Sequence, residues 1–589
     1  MKSLRRTFHT TLTSERGFTL VVTLGVMLVS SLLLTSTFLA VDGDIHLTQG
    51  DTHAKKAYYA ALAGVEDYEY HLTQDGNYLN YCTTPTPENK ALNQYYKEGS
   101  ETETLNASEL KTEEVPAGPS GESSGERYAI QLIPAVSDPE QFKKCNTSNV
   151  VESMIEQQAG SGVAGTFRLQ STGFAEGKKV TVVATFRNLN FVSFVWYTMY
   201  ETGDSVLYGQ GGPECDHFYG ERPGCNEFNN YFIEGEKVNG PMHTEDHVGI
   251  CGKPEQGPEF GRNANDRIEF GNGTHKKEGE KEAEIGWSGQ NYCPSESHAK
   301  FKGTLIPPYL TQQLQPPPSD EELQHIVEKP TYEFSGKTEI ALEGNTMSVS
   351  KWKEELPAGS KKWVKETGPK VAFPHSGVIY VANNESAGAC PLYSPFGPVP
   401  AYNEDYGCGN VYVHGKYEEP LTIAAENDVI INGNITTPVN GEGKPSTNSL
   451  LGLIADNFVR VYHPLSGTRE KSYYRCGTAK NDMTSTPELP KDLVEPEIYA
   501  AVLAVNHSFI VDNFDCGSPT ELKQLKIYGA LAGKFTNGMT GVFSGTTVKA
   551  GYGYNLTYDN RLEVAEPPHF LNPIEAAWYV QRETLTTSP

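Results

Sequence analysis

A chain of 589 residues exceeds what one ordinary hydrophobic core serves and has room for two or three domains. Its formal charge of −26 argues against a nucleic-acid partner, whose phosphates draw Lys and Arg clusters. With 57 glycines, 37 prolines and 10% aromatic residues, the composition is that of a turn-rich β protein, not a disordered chain.

Residues 1–17 carry Lys2, Arg5, Arg6 and Arg16 against a single acid, Glu15. Residues 18–41, FTLVVTLGVMLVSSLLLTSTFLAV, hold no charge over 24 positions. As a helix they span about 36 Å, enough for a bilayer core of about 30 Å with some tilt. Positive charge before the span and Asp42 and Asp44 after it place 1–17 in the cytoplasm and everything after about residue 42 outside, as a single-pass membrane protein. A cleaved secretory signal would have a shorter apolar stretch and a small-x-small site, but Phe38 stands where the small residue should be. A plain signal anchor and a leader cut at Gly17 remain as readings of the same residues.

The second rests on Arg16-Gly17-Phe18-Thr19-Leu20, with Gly at the cytoplasmic edge of the apolar helix and a bulky Phe after it. This resembles the leader of type IV prepilins and pseudopilins. The resemblance implies cleavage between Gly17 and Phe18 by a prepilin peptidase, then methylation of the new N-terminal Phe. Most major pilins carry Glu at the fifth mature position, where it neutralises a neighbour's N-terminal ammonium; here that residue is Val22. An uncompensated ammonium among apolar helices is costly, so the resemblance implies a rare subunit that primes or caps assembly.

In HAKKAYYAALAGVEDYEYHL, Ala54, Tyr58, Ala61, Val65, Tyr68 and Leu72 recur at helical spacing, and Asp75-Gly76 ends the pattern. The small residues Ala57, Ala60, Ala61, Ala63 and Gly64 would let a sheet or helix approach closely. The two helical stretches read either as one helix from Phe18 to about Gln74 or as two, broken around Asp42-Gly43. Residues 98–127, acidic and rich in Ser and Gly, read as a surface loop or linker. Strand-like segments follow at YAIQLIPAV, TFRLQSTGFA, KKVTVVATFRNL and FVSFVWYTMY, with a hairpin turn at Glu176-Gly177. A helix packed on a small antiparallel sheet matches a pilin head, bounded near residue 203.

From residue 204 the character changes. Short apolar runs at 377–381, 411–413, 421–423, 429–431, 451–454, 459–461, 501–504, 509–511 and 525–528 alternate with Gly, Asn and Asp turns. They suit a β-solenoid without a strict repeat, with a β-sandwich as the alternative. Charged segments 272–284 and 351–370 read as exposed loops. The expected fold is therefore α+β and mainly β, divided into a leader (1–17), a transmembrane segment (18–41), a pilin-like helix and sheet (42–203) and a large β ectodomain (204–589). The whole is similar to pilus-assembly proteins of the minor-pilin X type in three places. These are the leader and helix; VNGPMHTEDHVGICG at 238–252; and the run from LTIAAENDVIINGNI to LLGLIADNFVRVYHP with YDNRLEVAEPPHFL at 558–571. The resemblance implies other pilin subunits and an assembly platform as partners.

Ten cysteines, none in a CxxC or with zinc spacing, read as disulfides after an export signal. The tendency of sequence neighbours to be spatial neighbours suggests Cys82–Cys145, Cys215–Cys225, Cys251–Cys293, Cys390–Cys408 and Cys476–Cys516. His243-Thr244-Glu245-Asp246-His247 holds metal-ligating residue types, but HTEDH is not HExxH, and Gly240-Pro241 upstream argues for a turn. Asn427-Asp428 and Asp456-Asn457 read as turn residues whose side chains bond the backbone. No GxSxG, P-loop or GxGxxG motif occurs. The expectation is a structural subunit with no catalytic residue, cofactor or metal. A membrane-anchored surface adhesin and a β-helix carbohydrate enzyme are the competing classes.

Overall fold

The computed structural model describes residues 15–74, 78–81, 89–97, 103–116, 125–135, 154–156, 165–204, 216–218, 230–271, 287–288, 297–308, 311, 313–355, 362–393, 405–447, 449–466, 484–485, 489–515, 522–536, 540–544, 547–574 and 578–586. It is mainly β, with one long N-terminal helix. Backbone contacts divide it into two units: residues 1–154, 167–186 and 580–589, and residues 155–166 and 187–579.

The first unit is built on α1 (Glu15–Gln74), a single helix of 60 residues. It runs unbroken through Asp42-Gly43. No proline falls between Glu15 and Gln74 to remove a backbone donor, and the glycine at 43, like the other four in the helix, costs only about 1 kcal/mol. The sheet has β1 (Leu92–Asn93), β2 (Glu113–Glu114), β3 (Arg127–Ile133), β4 (Thr166–Ala175) and β5 (Lys178–Asn188), in the order β1-β3-β4-β5, with β2 also on β3. The chain's last strand, Trp578–Thr586, returns to lie beside β5. Strands β3 and β4 pair antiparallel from Arg127↔Phe174 to Ile133↔Arg168. The loop between β4 and β5 is Glu176-Gly177, and both residues have positive φ (47° and 78°), the twist a two-residue hairpin loop prefers. Within the expected surface loop 98–127, Glu113–Glu114 add a short strand to β3.

The second unit is organised by parallel ladders. One begins at Glu333–Ser335 and proceeds through Val378–Ala382, Leu421–Ala425, Leu451–Ala455, Glu497–Ala504 and Gln524–Gly533. The far half of Gln524–Gly533 pairs with Trp196–Thr198, and the ladder continues through Met242–Thr244, Arg267–Phe270 and Thr304–Ile306. A second ladder stacks Thr338–Gly344, Val411–Tyr417, Val429–Thr436, Val459–Val461 and Phe509–Val511. All nine apolar runs recognised in the sequence fall on these strands, the first from Val378 onward. Parallel pairing is not the antiparallel pairing of a β-sandwich.

Trp196–Thr198 is a rung of this ladder, so residues 187–203 belong to the second unit and not to the helix-and-sheet unit with which the sequence reading grouped them. The charged segment 351–370 is also not a loop. Thr346–Glu355 and Lys362–Thr367 form an antiparallel hairpin with Lys351 opposite Glu366 and Glu355 opposite Lys362. Opposite charges facing across strands stabilise such a ribbon in water. Segment 272–284 lies outside the described residues.

The strands Leu421–Ala425 and Leu451–Ala455 are buried along their whole length, because both faces are covered. The inner face joins the hydrophobic core. The outer face is covered by residues 567–570: a Cβ on Gly452 would meet the Phe570 ring at 2.9 Å and Pro567 at 3.0 Å. A second segment, 313–332, also crosses successive rungs. Leu314 donates its N–H to Glu245, Asp320 donates its N–H to Asp456 (2.7 Å), and Tyr380 donates its hydroxyl to Asp320 (3.0 Å).

Candidate membrane and assembly segment

Gly17 and Phe18 lie in the first turn of α1, at the start of its apolar stretch. Leu20–Thr37 is long and apolar enough to cross a membrane, and no part of it is buried by the protein. Its large side chains, from Leu20 to Leu34, are exposed; Val22 is 44% exposed. The hydroxyl side chains on this span need partners in an apolar medium. Thr23 donates to the Leu20 carbonyl (3.0 Å), Ser31 to Leu28 (2.9 Å) and Ser36 to Leu33 (2.9 Å), while Thr35 and Thr37 donate to Ser31 and Leu33. Each satisfies its donor within the helix, which lets a Ser- and Thr-bearing helix face lipid.

The second half of α1 is built differently. Ala57, Ala60, Ala61, Val65, Tyr68 and Leu72 are buried, a stripe at three- and four-residue spacing. The stripe is rotated slightly from the sequence reading, since Ala54 and Tyr58 are only half-buried. The small residues set the approach distance. A Cβ on Gly173 of β4 would lie 2.0 Å from the Ala57 carbonyl oxygen and 2.4 Å from the Ala61 nitrogen. A Cβ on Gly64 would meet Ser171 Oγ at 2.4 Å. Further along, Tyr68 packs edge-on to Phe167 and Phe186, both with centroids 6.1 Å away, and those two rings stack at 5.0 Å. One helix thus has an unpartnered apolar half and a half anchored on a sheet.

The other singled-out residues lie in the second unit. His243 is on a strand, and Glu245-Asp246 form the bend after it, with His247 leading into the next strand, Val248–Ile250. His243 bonds Glu269 through Nδ1 and Glu245 through Nε2, both at 2.8 Å, and Tyr197 stacks on its ring. Burial opposes its charge, but Glu245 and Glu269 outweigh that and hold its pKa up at about 9. Both ring nitrogens are occupied by carboxylates, so the imidazolium is a structural tie between rungs. No group of three or more His, Cys, Asp or Glu placed to hold a metal occurs among the described residues.

The Asx turns stack. Asn457 donates its amide to Asn427 (2.7 Å) and Asn427 donates to Asn410 (2.6 Å), a ladder of side-chain amides across three rungs. Asp428 accepts the Phe458 N–H at 3.0 Å. Burial raises Asp456 to about 6, and burial and then the neighbouring Asp456 push Asp320 well above the usual carboxylate range. Sequence reasoning passed over Arg460. It is buried between Asp428 (3.0 Å) and Asp512 (2.9 Å), with its guanidinium 4.0 Å from the Tyr393 ring centroid. The available signal was a lone charge inside the apolar run NFVRVY.

A disulfide joins Cys390 to Cys408, and Cys251 is also disulfide-bonded. Cys82, Cys145, Cys215, Cys225, Cys293, Cys476 and Cys516 lie outside the described residues.

No family model matches this chain, and no curated protein matches it. Among solved structures, the competence-associated pilin ComZ from Thermus thermophilus is similar over 91% of this chain and 98% of that chain, at 12% identity and a TM-score of 0.28. A likeness that loose carries no conclusion about fold or role.

Proposed function

We propose that this protein is a minor-pilin-like structural subunit, inserted in the cytoplasmic membrane with its C-terminal bulk outside. A prepilin peptidase cuts it between Gly17 and Phe18, the new N-terminus is methylated, and the subunit joins, primes or caps a type IV pilus or pseudopilus. The observation that carries this reading is α1: one continuous 60-residue helix, exposed and apolar in its first half and packed by small residues on the antiparallel pair β3–β4 in its second. At about 1.5 Å per residue it reaches about 90 Å, so a membrane half and a head-anchored half move as one rod.

The mechanism is packing. Residues 18–41 hold the subunit in lipid, and on recruitment by other subunits and the assembly platform the same side chains exchange lipid for neighbouring helices. Val22 offers no carboxylate to a neighbour's ammonium, which favours a terminal or priming position over a shaft of this protein alone. The parallel ladders of the second unit read as coils of a β-solenoid displayed at the cell surface, with a structural and not a catalytic role.

The test is the N-terminal residue and mass of the protein from native membranes. A start at Phe18 with a methyl group on its amine supports the reading. An intact start near Met1 overturns it and leaves a single-pass surface-binding protein, the second reading, which the cavity described next favours.

A further inference from the structure

The second unit holds a cavity of about 490 Å³, the size of a small-ligand site. Tyr558 is part of its lining: the phenol donates to the Val192 carbonyl (2.9 Å), and the Arg262 guanidinium lies 5.2 Å from the ring centroid. Two forked ion pairs brace the walls. Arg262 holds Asp266 at 2.9 and 2.6 Å. Arg561 holds Asp559 at 2.6 Å and donates to the Thr447 and Ser449 carbonyls, both at 2.7 Å. These arginines are committed to their carboxylates and give the cavity its shape, not its free charge.

The remaining charge is the informative part. Five cationic side chains line the cavity against three carboxylates; of these, Arg267 is paired with Glu269 (2.5 Å) and Lys444 with Glu442 (3.4 Å), neither of which lines it. The Arg187 side chain lines it with no ion pair or side-chain hydrogen bond among the described residues, and its charge acts on the Tyr558 phenol. The same lining holds the half-buried Tyr528, the Thr557 hydroxyl and the amides of Asn263 and Asn560. A free phosphate would call for several unspent cations converging on one point. One unspent guanidinium beside an aromatic face, a hydroxyl and amides is the chemistry that receives a sugar ring bearing a single carboxylate.

We propose that this cavity binds an acidic saccharide, its carboxylate on Arg187 and its ring against Tyr528. The proposal does not depend on prepilin processing, and an N-terminus at Met1 would leave it standing. Saturation-transfer NMR on the full-length protein in a sugar-free zwitterionic detergent tests it, with D-glucuronate, D-glucose and acetate as probes. Transfer to glucuronate, at least about tenfold weaker in Arg187→Ala and weakened in Tyr528→Ala, is expected, with little transfer to glucose. The thermal midpoint of Arg187→Ala should match the unsubstituted protein; if that variant fails to fold, Arg187→Gln takes its place. Absence of transfer to glucuronate at millimolar concentration overturns the proposal. So does equal binding of glucose, acetate binding as tightly as glucuronate, or an arginine variant that binds undiminished.

Discussion

The closest approach in the first unit gives the sharpest prediction. In Gly173→Ala, the new Cβ would sit 2.0 Å from the Ala57 carbonyl oxygen and 2.4 Å from the Ala61 nitrogen. An ordinary C···O contact is about 3.3 Å or more, so helix and sheet must separate by more than about 1 Å. Both obstructing atoms are backbone, and no rotamer change relieves them. Separation also loosens Ala57, Ala60, Ala61 and Val65, so the cost should reach or exceed the upper part of the 1–3 kcal/mol range for overpacked cores. At about 2–4 °C per kcal/mol for a unit of this size, 3 kcal/mol lowers its melting transition by roughly 6–12 °C. Two controls calibrate it. Gly177→Ala meets nothing within 4 Å and loses only about 1–2 kcal/mol, from its positive φ. Gly64→Ala meets the movable side chains of Ser171 and Tyr128, and gains up to about 1 kcal/mol of helix propensity, so it should fall well short of Gly173→Ala. The assay is a thermal scan of the detergent-solubilised protein, with amide exchange over 127–133 and 166–175 assigning the transition to this unit. A Gly173→Ala protein that melts within a degree of the unsubstituted one, with unchanged exchange, would refute the packing argument.

Three further outcomes follow from the second unit. Arg460→Ala leaves Asp428 and Asp512 buried without their cation and should destabilise this unit by about 3–5 kcal/mol, read as loss of its cooperative denaturant transition at lower urea. Asn427→Ala breaks the buried amide ladder between Asn410 and Asn457 and should cost about 1–3 kcal/mol; Asn440→Ala, whose amide oxygen accepts the Glu442 and Lys444 N–H groups in an exposed turn, should cost less in the same urea titration. His243 has its folded pKa raised to about 9, above the unfolded value of about 6.5. Its contribution is therefore fully present below about pH 6.5 and is lost as pH rises through 9; His243→Gln should flatten that slope, and an unchanged slope would show that the imidazolium is not its source.

Much of the local structure was legible in the residues themselves. The apolar span, its flanking charges and the small-residue stripe of α1 are carried by composition and a 3.6-residue period. The Glu176-Gly177 hairpin is carried by turn chemistry. The nine apolar runs of the second unit were recognisable as strands because covered parallel strands are continuously apolar, as LTIAA and LGLIA are. Segment 351–370 misled because charge density suggested a loop, while the alternation of Lys and Glu that pairs across a solvent-facing ribbon is a weaker signal. Arg460 was missed because its two acids come from other rungs.

What the sequence by itself determined is whatever a short window holds: where the chain is apolar, where it turns, and that one helix has a lipid-like half and a packing half. Tertiary structure alone decided which strands are neighbours. Trp196–Thr198 lies beside Leu531–Gly533, and Trp578–Thr586 returns to the sheet begun by Leu92–Asn93. The rungs of the parallel ladders are separated by unequal lengths of chain, and a period-2 pattern specifies which face of a strand is buried but not which strand covers its edge. That choice is made by burial shared among distant segments, as when residues 567–570 cover rungs laid down more than a hundred residues earlier.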